Sequence, residues 1–390
     1  MKQIVEDISR KLDTRLLSIP EFPVGLESRV QEVIEFINAQ SDTGCVVGIW
    51  GMGGLGKTTM AKVIYNKIHR RFRHSSFIEN IREVCENDSR GCFFLQQQLV
   101  SDILNIRVGM GIIGIEKKLF GRRPLIVLDD VTDVKQLKAL SLNREWTGTG
   151  CVFIITTRDV RLLNVLKPYH RVHVCRIKEM DENESLELFS WHAFRQAHPR
   201  EDLIKLSMDI VAYCGGLPLA LEVLGSYLCE RTKEEWESVL AKLRKIPNDQ
   251  VQEKLRISYD DLDCEEKNIF LDICFFFIGK DRVNVTEILK GCDLHAEIGI
   301  TILVERSLIK LEKNNKIKMH NLLRDMGREI VRQSSLEEPE KRSRLWVHQE
   351  VLDLLLEHTV RTFSTYYFET FDHMCFYHDH KTKFKSSCSF

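Results

Sequence analysis

Three features of this sequence predict an α/β domain with a parallel sheet, followed by an all-α block and a winged helix. From Cys45 to about Val174, short apolar runs alternate with helical stretches. Beyond Val174 only helical patterns occur, as far as Pro247. Later, three helical stretches lead into an alternating hairpin around Asn314-Asn315. Apolar runs such as LIVL and VFII are near-continuous, which suits strands buried on both faces of a parallel sheet.

In chain order, the first twenty residues read as a short helix, stopped by SIPEFPVG with its two prolines. CVVGIW, SFIENI, PLIVLDD, CVFIITT and RVHV are the candidate strands. Asp181 and Glu184 stand at capping-box spacing at the head of an amphipathic helix, DENESLELFSWHAF. The next helix ends at Gly215-Gly216, and Pro218 suits the first turn of the one after. KEEWESVLAKLRKIP closes the helical block. From about Val251, Asp263 and Glu266 repeat the capping box before a helix through KNIFLDICFFF. Shorter helices follow at VTEILKG and HAEIGITILVERS, then the hairpin SLIKLEKNNKIKMH and a helix from Asn321. The expected division is a linker helix at 1–20, a phosphate-loop domain at 21–180, a helical subdomain at 181–250 and a winged helix at 251–358. The tail at 359–390 is expected to be disordered.

Composition narrows the function classes. The 390 residues exceed one ordinary domain, and 43% hydrophobic with 29% charged residues suits a globular chain. A net charge of -1 provides no basic field for nucleic acid or anionic lipid. The start, MKQIVEDISRKLD, is unlike a secretory signal, and the most apolar run, IFLDICFFFIG, contains Asp272 and is too short to span a bilayer. Cys388 lies third from the end, which breaks a prenylation signal. Twelve cysteines without a C-x-x-C pair read as reduced, mostly buried thiols of a cytoplasmic chain, or a nuclear one.

The chemistry begins with Gly51-x-x-x-x-Gly56-Lys57-Thr58, a complete phosphate-loop motif between a strand and a helix. Glycines let backbone N–H groups turn inward around phosphate oxygens; Lys57 adds a charge for the β- and γ-phosphates, and Thr58 offers a hydroxyl to Mg²⁺. The following helix aims its N-terminus at the same anion. PLIVLDD ends a buried strand in carboxylates: Asp129 is placed for Mg²⁺ and Asp130 for polarising an attacking water. An acidic pair after a strand also serves as a turn or cap. Arg158 leaves the strand CVFIITT at the ligand edge of the sheet, where a guanidinium can touch a γ-phosphate; pairing with Asp159 at the surface is the other reading.

Together the stretches FPVGLESRVQEV, GIWGMGGLGKTTMAKVIYNKI, FIENIREV, PLIVLDDV, FIITTRD, CGGLPLALEVLGSYL, FLDICFFF and MHNLLRDMGREIVR resemble the NB-ARC module of plant intracellular immune receptors. They run in order between Lys2 and Leu356 of the 390 residues. Asp133 and the phenylalanine-rich FLDICFFF resemble the class that carries a TIR domain in front and leucine-rich repeats behind. The resemblance implies that Val24 and Gly25 pack on adenine, that Gly51, Gly53, Gly54, Gly56, Lys57, Thr58 and Thr59 hold phosphates, and that Asp129 holds Mg²⁺. It implies a catalytic or water-positioning role for Asp130, a sensor role for Arg158 and a cover over the nucleotide from Pro218. His320 is expected to contact the ADP β-phosphate and lock the resting state.

The sequence departs from that family at Asn321, where aspartate is usual. As a helix N-cap asparagine is about equivalent to aspartate, so the expected effect is one lost charge near the helix start and a slightly weakened lock. No TIR pattern precedes Met1, and beyond about His358 the resemblance stops. A retained intron is one expectation there, since Val360-Arg361 could be encoded by a splice-donor-like GTAAGA. His373, Cys375, His378 and His380 lack the regular spacing of a zinc site.

The implied function is an ADP/ATP switch of plant innate immunity: ADP-bound at rest, ATP-bound when active, and reset by slow hydrolysis. Without TIR and repeats, a truncated adaptor or non-signalling fragment is the alternative. Expected partners are ADP or ATP with Mg²⁺, intramolecular or homo-oligomeric contacts through the module, and other immune receptors. Nucleic acid is not expected. A fast ATPase or kinase and a winged-helix DNA-binding ATPase are the other classes.

Overall fold

The computed structural model describes residues 16–40, 43–88, 90–104, 123–140, 150–243, 247–336 and 342–344. Its sheet holds β1 (Cys45–Trp50), β2 (Ser75–Ile78), β3 (Leu125–Val131), β4 (Val152–Thr157) and β5 (Val172–Arg176). The strands lie in the order β2-β3-β4-β1-β5, every neighbouring pair parallel. β1 and β4 are buried along their whole length. Helices on both faces account for that, and the period-two alternation sorts the side chains: Val46, Ile126 and Phe153 face one core, while Val47, Val127 and Ile154 face the other. β2 is shorter than the sequence suggests, because Asn80, at a left-handed φ of 53°, turns the chain into a helix.

Around the sheet lie α1 (Glu27–Ala39), α2 (Lys57–Ile68), α3 (Ile81–Asn87), α4 (Gly91–Leu104), α5 (Val134–Ala139) and α6 (Val160–Leu166). α2 buries Met60, Ala61, Ile64 and Ile68 on one face of the sheet, and α4 buries Leu95, Leu99 and Ile103 on the other. Spacings of three and four residues make each a single apolar stripe.

The strandless block is α7 (Glu182–Phe194), α8 (Ile204–Cys214), α9 (Pro218–Leu228) and α10 (Lys233–Leu243). α7 opens in a full Asp181–Glu184 capping box. α8 stops at Gly215, whose φ of 58° suits glycine, and Pro218 is the first residue of α9. Trp236 anchors this block, 1% exposed, stacked on Phe194 at 5.4 Å and with its Nε1 donating to Leu228 O at 3.1 Å.

The last part comprises α11 (Asp249–Asp260), α12 (Cys264–Asp272), α13 (Arg282–Lys290), α14 (Ala296–Glu305), an antiparallel hairpin of β6 (Lys310–Leu311) with β7 (Ile317–Lys318), and α15 (Asn321–Ser334). Asp263 and Glu266 form the expected capping box. The continuous helix expected through FLDICFFF is corrected: Ile273–Phe277 is a π-turn. Tertiary contacts hold its start, with Asp272 receiving Arg344 Nε at 2.7 Å and Cys274 pressed against Gly327. One apolar core runs unbroken from Met60 beneath the sheet through Trp236 to Phe270 and Leu322.

Among the described residues no helix is long and apolar enough to cross a membrane. The described cysteines are free thiols, but only Cys45, Cys151, Cys214 and Cys274 are buried, fewer than expected. Of the helix expected over 1–20, residues 16–20 are not helical, and residues 1–15 lie outside the described residues, as does the tail cluster His373, Cys375, His378 and His380.

Candidate functional site

The carboxyl ends of β1, β3 and β4 meet at one edge of the sheet, where open α/β sheets hold ligands. β1 runs into the glycine loop. Gly54 and Gly56 take φ of 80° and 84°, conformations in which a Cβ is strained. Lys57 follows as the first residue of α2, and its Nζ donates to Gly51 O at 2.9 Å and Met52 O at 2.8 Å. Burial, reinforced by the Arg158 charge, lowers the Lys57 pKa to about 7.

Asp129 at the tip of β3 is fully buried. Thr58 and Thr156 both donate to its Oδ1, at 2.8 and 2.6 Å. Its Oδ2 makes no hydrogen bond among the described residues, and burial raises its pKa above the ordinary carboxylate value. A hydroxyl beside a carboxylate with one free oxygen fits Mg²⁺, which takes few protein ligands and completes its shell with phosphate and water. Thr58 and Asp129 are the residues that would hold it, and bound there it would neutralise phosphate charge. No cluster of three or more His, Cys, Asp or Glu suited to a metal occurs among the described residues.

Asp130 stands apart from that pair. The β3–β4 register shifts after Leu128, and Asp130 adopts a left-handed φ of 55°, a strained conformation of the kind found at functional sites. Arg82 Nε donates to Asp130 Oδ2 at 2.9 Å, and Arg158 Nε lies 3.6 Å from Oδ1. Burial pushes the Asp130 pKa up, but the charges of Arg158 and Arg82 outweigh it and hold the carboxyl below its ordinary range. Arg158 does not pair with Asp159, which caps α6 and binds Arg161 at 2.6 Å. Instead its Nη1 donates to Ser258 Oγ at 2.9 Å and to Lys254 O at 3.2 Å, both on α11.

Val24, Gly54, Gly56, Lys57, Thr58, Thr59, Asp130, Arg158 and Pro218 line one cavity of about 390 Å³. It closes because the segment before α1, the glycine loop, α7, α9 and α11 converge on it. Leu219 N–H donates to Gly54 O at 3.2 Å, so the start of α9 rests on the loop itself. Gly51, Gly53, Gly25, Asp129 and His320 are outside the cavity wall. A Cβ on Gly53 would come 3.0 Å from Arg158 Nη1, and one on Gly25 would come 2.5 Å from Glu184 Oε1.

His320 is one loop removed. Its Nδ1 accepts the Leu322 N–H at 3.2 Å, so the proton sits on Nε2, which donates to Gly215 O at 3.0 Å, three residues before Pro218. Burial lowers its pKa, against the opposing pull of the Gly215 bond. His320 is also the residue that caps α15. The expected cap at Asn321 is corrected: Asn321 is the first helical residue and is exposed.

Sequence reasoning missed Arg82 and Lys254 on the cavity wall, Ser258 behind it, and the further wall residues Phe22, His192 and Glu222. Phe22, stacked on Trp191 at 5.0 Å, brings the pre-α1 segment against α7. The FIENIREV stretch contained Arg82 but held no local sign of its partner.

Comparison with known proteins agrees with this architecture. The NB-ARC domain model matches residues 26–198, and the model for the winged-helix domain of Roq1-like disease resistance proteins matches residues 263–335. Disease resistance protein RUN1 of Vitis rotundifolia is 45% identical over 89% of this chain, and RPV1 of the same plant 43% over 89%. TMV resistance protein N of Nicotiana glutinosa is 33% identical over 92%. The chain spans 26%, 25% and 32% of those three proteins. A Walker-type ATPase of Pyrococcus abyssi shares the fold, with a TM-score of 0.54 at 14% identity over 81% of this chain and 99% of that one. The chain therefore belongs to the NB-ARC family of plant disease resistance proteins, its NB-ARC domain followed by their Roq1-like winged helix.

Proposed function

We propose that this chain is a nucleotide-operated switch of plant disease resistance, closed around ADP at rest and opened by exchange for ATP. The observation that carries this reading is Arg158, which touches Asp130 at the phosphate end of the cavity and Ser258 and Lys254 on α11. A γ-phosphate would compete for that guanidinium and so for its hold on α11. His320 supports the same reading from a second place, tying the start of α15 to the loop before Pro218. In this scheme Gly51, Gly53, Gly54, Gly56, Lys57 and Thr59 hold phosphates, Thr58 and Asp129 hold Mg²⁺, and Asp130 positions water for a slow resetting hydrolysis. Val24 and Gly25 shape the base end, and Pro218 covers it.

The moving bodies are residues 21–180, 181–250 and 251–358. Opening exposes surfaces for contact with further copies of the module or with other immune receptors, in the cytoplasm or nucleus. A DNA-binding reading has little support, since α14, AEIGITILVE, carries no Lys or Arg for a major groove. The test is the nucleotide that co-purifies with the chain and its turnover. ADP near one per chain, with turnover far below about one per second, supports the switch; rapid steady turnover identifies an ordinary ATPase instead.

A further inference from the structure

Resting on that reading, we propose that Arg82 is a positioning residue that holds the Asp130 carboxylate away from the attacking water and so sets the slow rate of hydrolysis. The geometry is specific. Asp130 cannot swing freely, because its N–H donates to Thr156 Oγ1 at 2.8 Å and its backbone is left-handed. Arg82 stands in the first turn of α3, just after Asn80, itself left-handed at φ 53°. Two strained turns, one just past the end of β2 and one at the end of β3, thus stand side by side on the cavity wall and are joined by the 2.9 Å Arg82–Asp130 bond. Both side chains are largely buried, 15% and 18% exposed.

Hydrolysis requires the water oxygen to bond to the γ-phosphorus while the bond to the bridging oxygen breaks, leaving its electron pair on ADP. The proton lost by the water passes to a carboxylate oxygen and then to the released phosphate. A carboxylate with both oxygens engaged by guanidinium groups is a poor acceptor for that proton. Arg158 has another anion to move to when a γ-phosphate is present. Among the described residues, Asp130 is the carboxylate that Arg82 binds. Release of Oδ2 from Arg82 therefore becomes a separate step before proton transfer, and it sets how long the ATP-bound state lasts.

The experiment is single-turnover ATP hydrolysis by the full chain as wild type, Arg82→Gln, Arg82→Lys and Arg82→Gln/Asp130→Asn, each with an ATP affinity. Arg82→Gln is expected to hydrolyse about ten- to 150-fold faster at unchanged affinity, as loss of one charge-assisted hydrogen bond implies. Adding Asp130→Asn should cancel the gain, because the freed carboxylate is then no longer there to accept the proton. Arg82→Lys keeps the charge and is expected to fall between, which covers the case of a misfolded glutamine variant. An unchanged rate in both variants overturns the proposal and makes Arg82 a structural staple; a loss of affinity together with rate also overturns it and makes Arg82 a phosphate ligand. A wild-type chain that binds no ATP overturns the switch reading itself, and this proposal with it.

Discussion

Replacing Ser258 with alanine isolates the contact between the phosphate end of the cavity and α11. Ser258 is 6% exposed and accepts from Arg158 Nη1 at 2.9 Å, yet it is not part of the cavity wall. Ser258→Ala therefore removes a hold on α11 without touching a nucleotide contact. Hydrogen bonds to charged groups contribute about 1.5–3 kcal/mol when one partner is lost. Arg158 keeps the Lys254 carbonyl at 3.2 Å, so the loss falls around or just below the lower end of that range. We expect the closed arrangement to weaken by about 1–2 kcal/mol, equivalent to about five- to thirty-fold faster ADP release. The assay is stopped-flow displacement of a fluorescent ADP analogue by excess ATP. Release within twofold of wild type, with the variant folded, refutes the reasoning, since Arg158 would then be anchored without bearing on closure.

Lys57 makes a pH prediction. Its pKa in the folded chain is about 7, below the ordinary 10.5. The unfavourable burial of its charge is thus fully present below pH 7 and is relieved as pH rises towards 10.5. A phosphate beside it restores the proton, so calorimetry in buffers of different ionisation enthalpy should show uptake of close to one proton on ADP binding at about pH 8, and little at about pH 6. His320 has the opposite practical consequence. Its pKa is lowered below 6.5, and its neutral Nδ1 must accept the Leu322 N–H. Its contribution is present above pH 6.5 and lost as pH falls through the folded value, so ADP release should accelerate in mild acid. His320→Ala should abolish that acid response and weaken closure by about 1–3 kcal/mol. Asn321→Asp should steady α15 by about 0.3–1 kcal/mol in thermal melts and leave ADP release unchanged, because it is His320 that caps the helix and reaches Gly215 O.

The parts of this molecule that were legible in the sequence are those specified locally. Gly51 to Thr58 is one continuous motif, the capping boxes at Asp181 and Asp263 span four residues each, and LIVL and VFII announce buried strands by composition. Arg82 was illegible for a definite reason: its partner is known only once β2 is seen to lie beside β3, a long-range pairing of Ser75–Ile78 with Leu125–Leu128. Arg158 was readable as a candidate, but Ser258 lies 100 residues further on, and nothing in either segment encodes their meeting. The π-turn at Ile273–Phe277 is held by Arg344 and Gly327, tertiary contacts that override a helical pattern. At Asn321 the one-residue shift of the cap to His320 arose because a histidine ring can occupy the position sequence rules reserve for Ser, Thr, Asp or Asn.

The most direct test of the switch is amide hydrogen exchange on the full chain saturated with ADP or with a non-hydrolysable ATP analogue. In the proposed switch Arg158 and His320, which contact α11 and Gly215 O, couple them to nucleotide occupancy, so these segments and the start of α15 should exchange markedly faster with the ATP analogue. The core of β1 and β4 should be unchanged. Equal exchange in both complexes, with both nucleotides demonstrably bound, would contradict the account.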